Sequence, residues 1–194
     1  MDLFVDYDSF RYFSLINPFS NHESKYVKFA NNFYVYGMCF FMCHEISHVE
    51  LNHTISYTQG ELDLRTLQQE EIDADDAAMW KMYDVISSED INGKYALCGI
   101  VMAICSLMFV DSTMEGGPEH PSPMERLKKI LDHIENNYGY HEEPWAIACI
   151  CIQLWAFYYK KMDRFPDISE PRAKESFNKV FVFIKHLNNK EDND

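Results

Sequence analysis

The sequence predicts a mainly α-helical fold: one compact domain over residues 1–194, about six helices, and at most a small β element near the N-terminus. Three observations carry this expectation. Apolar residues recur at three- and four-residue spacings over long runs. The seven glycines and seven prolines read as punctuation between those runs. Alternating strand patterns are weak throughout, with FRYFSLI (10–16) the best candidate.

Residues 1–25 read as an irregular or strand segment. A first helix is expected over about 26–53, with Phe29, Phe33, Val35, Met38, Phe41 and Met42 as its apolar positions. The aromatic run FYVYGMCFF reads as core, and so do Met38 and Met42. A second helix covers about 66–87, opening near Thr66 with acidic residues early, where the helix dipole favours them. An apolar helix follows at 92–110. The loop DSTMEGGPEHPSP (111–123) breaks the pattern with two glycines and three prolines. MERLKKILDHIEN then resumes it, with Leu127, Ile130, Leu131 and Ile134 on one face. Helices over 143–163 and 172–188 complete the set, and 188–194, NNKEDND, is an acidic tail expected to fray.

ALCGIVMAICSLMFV (96–110) and WAIACICIQLWAFYY (145–159) are the most apolar runs. Each is fifteen residues long, short of the roughly twenty that a spanning helix needs. They read as buried core helices, with no membrane span. Seventeen basic against thirty-one acidic side chains give a formal charge of −14, which repels phosphate backbones and anionic lipid surfaces. Nucleic acid is therefore disfavoured as a partner. The six cysteines sit in apolar runs with C-x-C and C-x-x-x-C spacings, not the paired C-x-x-C of a structural zinc site. With no signal-peptide pattern at the start, they read as reduced residues of a cytoplasmic protein.

The chemistry concentrates in CHEISHVELNH (43–53), which contains His44-Glu45-Ile46-Ser47-His48, an H-E-x-x-H. Histidines four apart stand one turn apart on one helix face, so both rings can reach a single zinc ion. Glu45 can then lie beside the metal's water without binding the metal, acting as general base and acid. A catalytic zinc needs a third protein ligand and leaves its fourth position open. His53 misses the extended H-E-x-x-H-x-x-G-x-x-H register by one: residue 54 is Thr54, and Leu51 stands where a glycine would turn the chain back. His53 therefore reads as an exposed helix-end histidine. The better third ligand is Glu71, twenty-three positions after His48, with Asp75 one turn further on to accept a hydrogen bond from a ligand histidine. A solvated acidic face is the alternative, because Glu70, Asp73 and Asp76 are neighbours; small Ala74, Ala77 and Ala78 favour a closely packed helix and the ligand reading.

His44-Glu45-x-x-His48 followed by Glu71-x-x-Ala74-Asp75-x-x-Ala78 resembles the gluzincin pattern of zinc peptidases related to HtpX and the CAAX prenyl proteases. His120-Pro121-Ser122 with Arg126 continues the resemblance over roughly residues 35–135. It implies a zincin-like domain in which His120 lies near the scissile carbonyl and stabilises the oxyanion, while Arg126 braces the acidic pair. The family's better-known members are membrane proteins with an edge strand before the motif helix, and only some forty residues precede it here. The soluble bacterial zinc peptidases that include the phage-exclusion protease Lit are closer in character.

The expectation is a zinc-dependent endopeptidase hydrolysing an intracellular protein or peptide substrate through a metal-activated water, with one catalytic Zn2+. His44, His48 and Glu71 are its ligands, Glu45 and His120 its catalytic groups, and Asp75 and Arg126 their supports. The rival is a zinc-containing interaction or regulatory protein with latent or lost activity, whose groove is completed by a partner chain. An open fourth metal position separates the first reading from the second.

Overall fold

A computed structural model describes residues 25–53, 63–87, 91–110, 117, 120–159, 165, 166 and 170–191. The strand candidate FRYFSLI lies outside these residues. The expected mainly α-helical architecture is what the chain adopts: six long helices and one single turn, with no strand among the described residues. In chain order they are α1 (Lys25–Glu50), α2 (Leu64–Lys81), the short α3 (Tyr83–Ile86), α4 (Ile91–Val110), α5 (Pro123–Tyr138), α6 (Glu142–Tyr158) and α7 (Ala173–Glu191).

The helix ends follow local chemistry. Asp63 caps α2, its carboxylate accepting a hydrogen bond from the Thr66 N–H at 2.8 Å, so the helix starts at Leu64 and not at Thr66. The expected single helix over 66–87 divides at Met82 into α2 and α3. Ser122 caps α5, with Pro123 in the first turn, where a missing N–H costs nothing. Gly139 closes α5 at φ 84°, a left-handed conformation that glycine adopts without a Cβ penalty.

The apolar helix α4 is the axis of the molecule, packed against α1, α3, α5 and α6. It is long and apolar enough by composition to cross a membrane, yet 61% of its Gly93–Val110 stretch is buried inside the protein. Leu97, Ile100, Val101, Ile104 and Met108 form the centre of the core. α6 adds Trp145, Ile152 and Trp155, whose Nε1–H donates to the Met108 carbonyl at 3.0 Å. α7 packs on α6, with Phe177 edge-on to Trp145. α5 presents the expected face of Leu127, Ile130, Leu131 and Ile134, all buried.

Two expectations about α1 fail for a common reason. Met38 and Met42 are not core residues; they are 43% and 61% exposed. Nor do glycines only punctuate helices, because Gly37 and Gly99 lie inside α1 and α4. α1 is apolar nearly all round, so composition does not reveal which stripe faces inward. The inward stripe is Gly37, Phe40, His44 and Ser47, and Gly37 meets Gly99 where the two helices cross. A Cβ on Gly99 would stand 2.7 Å from the Phe33 carbonyl oxygen. That approach is open only to glycine.

Candidate functional site

The buried stripe of α1 turns polar at His44, and the polar part is covered by α2. His44 and His48, one turn apart, bring their Nε2 atoms to 3.1 Å of each other. Glu71 on α2 places Oε2 3.6 Å from His44 Nε2 and Oε1 3.4 Å from His48 Nε2. One donor atom from each residue lies within 4.8 Å of the others, and the group could hold a metal ion. Both imidazoles and the carboxylate are largely shielded from solvent.

Asp75, one turn beyond Glu71, backs the first histidine. Its Oδ1 lies 2.9 Å from His44 Nδ1, at hydrogen-bond distance but off the line of the ring N–H. Arg126, buried on α5, donates Nε–H to Asp75 Oδ2 at 2.7 Å and Nη2–H to Asp75 Oδ1 at 2.8 Å, a two-pronged contact. Its Nη1–H reaches Glu71 Oε2 at 3.1 Å. One guanidinium thus holds both α2 carboxylates, which is why two acids one turn apart can be buried together.

His120, at the end of the loop before α5, points toward this group, with Nδ1 3.6 Å from Glu71 Oε1 and the side chain 57% exposed. Glu45 is exposed on the solvent side of α1. The structure therefore gathers His44, His48, Glu71, Asp75, His120 and Arg126 in one place, with Glu45 beside them.

The electrostatics of the group follow from its burial and its close pairing of imidazoles with carboxylates. Burial alone would lower the His44 pKa, but the Asp75 and Glu71 carboxylates set against the ring override it and raise the imidazole to about 9. Burial would raise Glu71, but the His44 hydrogen bond and the charges of Arg126, His44 and His120 carry it down to about 2. His48 is pushed below its ordinary value, first by burial and then by the neighbouring His44 charge.

His53 is not the free helix-end histidine expected. It is half-buried, and its Nδ1 lies 3.0 Å from Nδ1 of His48, on the ring edge facing away from Glu71. Asn52 makes this reach possible: at φ 61° it adopts the left-handed conformation that a glycine would otherwise supply. The signal available in the sequence was the asparagine, since Asn tolerates that conformation better than other non-glycine residues.

A family model described as Peptidase U49 matches residues 2–148, a span that takes in every residue of this site. No curated protein and no solved structure matches the chain.

Proposed function

Because the chain belongs to the Peptidase U49 family, we propose that it is a zinc-dependent endopeptidase cleaving an intracellular protein or peptide, with His44, His48 and Glu71 as the metal ligands. The observation that carries this reading is the donor triangle. Zinc bonds of about 2.0–2.1 Å at tetrahedral angles separate ligand atoms by about 3.3–3.4 Å; here the two Nε2 atoms are 3.1 Å apart, with Glu71 Oε1 3.4 Å from His48 Nε2 and the other oxygen, Oε2, 3.6 Å from His44 Nε2. Two imidazoles and one carboxylate also suit zinc better than the oxygen-seeking calcium or magnesium. The H-E-x-x-H with a glutamate on a following helix supports the gluzincin type.

A bound zinc would supply Lewis acidity to the attacking water and the scissile carbonyl. Glu45 would take the proton of that water and pass it to the leaving amine, a task that suits an exposed carboxylate beside the donor triangle. His120, whose Nδ1 lies 3.6 Å from Glu71 Oε1, would donate to the oxyanion. Asp75 would hold the His44 ring so that Nε2 faces the ion, with Arg126 fixing Asp75 and Glu71 together. The charge of −14 favours substrates or regulatory partners with neutral or basic surfaces.

The test pairs metal analysis with Glu45→Gln. Purified wild type should carry one zinc per chain, and so should the variant. Mass spectrometry of new protein N-termini in cells expressing wild type should show cleavage events missing with Glu45→Gln. Wild type without stoichiometric zinc, or a variant with the same cleavage events, would overturn the reading.

A further inference from the structure

Resting on the assignment of His44 and His48 as metal ligands, we propose that His53 is a positioning residue. It accepts a hydrogen bond from His48 Nδ1–H and so holds that ring with the bare Nε2 toward the metal. The two ligand histidines are backed differently. His44 has the Asp75 carboxylate 2.9 Å from its Nδ1. The Nδ1 of His48 instead faces Nδ1 of His53 at 3.0 Å, the rings tilted 72° with centroids 5.0 Å apart.

A neutral imidazole carries one N–H and one bare nitrogen, so a contact between two Nδ1 atoms requires one to donate and the other to accept. If His53 donated, the remaining proton of His48 would sit on Nε2, facing His44 and Glu71, and that nitrogen could not bind a metal. The productive arrangement is the reverse: His48 Nδ1–H donates to the bare Nδ1 of His53, whose own proton sits on Nε2. A metal on His48 Nε2 therefore sets the direction of this hydrogen bond, and the bond in turn holds the ring in place.

The backbone is built to deliver His53 to this place. The Leu51 N–H closes the last helical turn on the Ser47 carbonyl at 2.9 Å, and the Asn52 N–H bonds the Val49 carbonyl at 3.2 Å. Asn52 then reverses the chain at φ 61°, the sole positive φ at a non-glycine position among the described residues. A histidine five positions after the ligand would lie on a different face of a continuous helix. The turn returns it to His48.

The experiment measures zinc affinity by competition with a chromophoric chelator for wild type, His44→Ala, His53→Leu and His53→Asn. Leucine fills the space without an acceptor, whereas the Asn side-chain oxygen can stand where the imidazole Nδ1 stood. His53→Leu should bind zinc about 10- to 100-fold more weakly, the usual effect of losing a group that orients a ligand, and His53→Asn should recover most of the loss. Two-bond proton–nitrogen spectra of zinc-loaded wild type should show His48 protonated on Nδ1. His53→Leu binding as tightly as wild type, or His53→Leu and His53→Asn weakened equally, would overturn the proposal. The ligand assignment fails separately, through wild type that binds no zinc or His44→Ala that binds it undiminished.

Discussion

Arg126 grips Asp75 through two guanidinium nitrogens, Nε at 2.7 Å and Nη2 at 2.8 Å, across a contact between two helices whose partners are fifty-one residues apart in sequence. The arginine is 6% exposed and Asp75 is 4% exposed, so neither charge has water to fall back on. Arg126→Ala should destabilise the fold by about 3–5 kcal/mol, because it leaves two buried carboxylates facing each other. Arg126→Lys should recover only part, since an ammonium cannot make the two-pronged contact and reach Glu71 as well. Urea unfolding midpoints check both; a loss below about 1 kcal/mol for the alanine variant would show that the pair is not a structural clamp.

The crossing of α1 and α4 makes a second prediction. A methyl group at Gly99 would meet the Phe33 carbonyl at 2.7 Å and the Tyr36 Cβ at 2.9 Å, and the nearer of these is backbone that cannot swing aside. Gly99→Ala should cost about 1–3 kcal/mol by overpacking, despite the higher helix propensity of alanine. Gly37→Ala, whose nearest contact would be 3.0 Å, should cost less. Thermal unfolding of the two variants side by side gives the order.

Acid–base behaviour of the metal-free protein follows from His44. Its folded pKa of about 9 lies above the ordinary 6.5, so the folded state holds the proton more tightly than the unfolded chain. The resulting stability is fully present below about 6.5 and is lost as pH rises through about 9. Glu71 has the opposite sign: depressed from 4.5 to about 2, it stabilises above its ordinary value and loses that contribution as pH falls through about 2. In chelator-treated protein, the unfolding midpoint should decline between neutral pH and about 9, and His44→Gln should flatten that decline. Zinc added near neutral pH should also release a proton, visible in calorimetry as a heat that changes with the buffer.

His120 should matter to turnover and little to stability. Its side chain is 57% exposed, so removing it opens no cavity. His120→Ala should lower kcat by about 100- to 1,000-fold, the range for losing one oxyanion donor, with zinc content and unfolding midpoint unchanged. A variant with full activity would assign the oxyanion to another group.

Removing the carboxylate of Glu71 while keeping its size should abolish stoichiometric metal. Glu71→Gln leaves two imidazoles and a weak amide oxygen, too few strong donors for tight zinc binding. Far-ultraviolet circular dichroism should show the helices intact, and elemental analysis should show zinc well below one per chain.

What could be read beforehand followed from how local the relationships are. His44 and His48 are one turn apart, so their convergence follows from helix geometry alone. Glu71 and Asp75 repeat the same spacing, and the adjacent alanines marked α2 as a helix that packs closely. The pairing of Arg126 with Asp75 spans two helices and a proline-rich loop; no periodicity encodes it, and only the family resemblance pointed there. The register already sets His53 apart from the donor group, whereas its contact with His48 depends on the turn at Asn52, which no periodicity encodes. The exposure of Met38 and Met42 was hidden for a different reason. A helix apolar on all sides takes its inner face from its neighbour, and the two crossing glycines that set that face carry no hydrophobic signal.

The inner stripe of α1 runs from Gly37 through Phe40 to His44 and Ser47, so one ridge serves as both packing seam and ligand mount. Side chains along such a ridge lose their rotamer freedom when the helices dock, before any ion arrives. Metal binding then needs little rearrangement of His44, and the affinity that survives is correspondingly larger. An ion held by His44, His48 and Glu71 would tie α1 to α2, so its departure and the separation of the two helices should share one kinetic barrier.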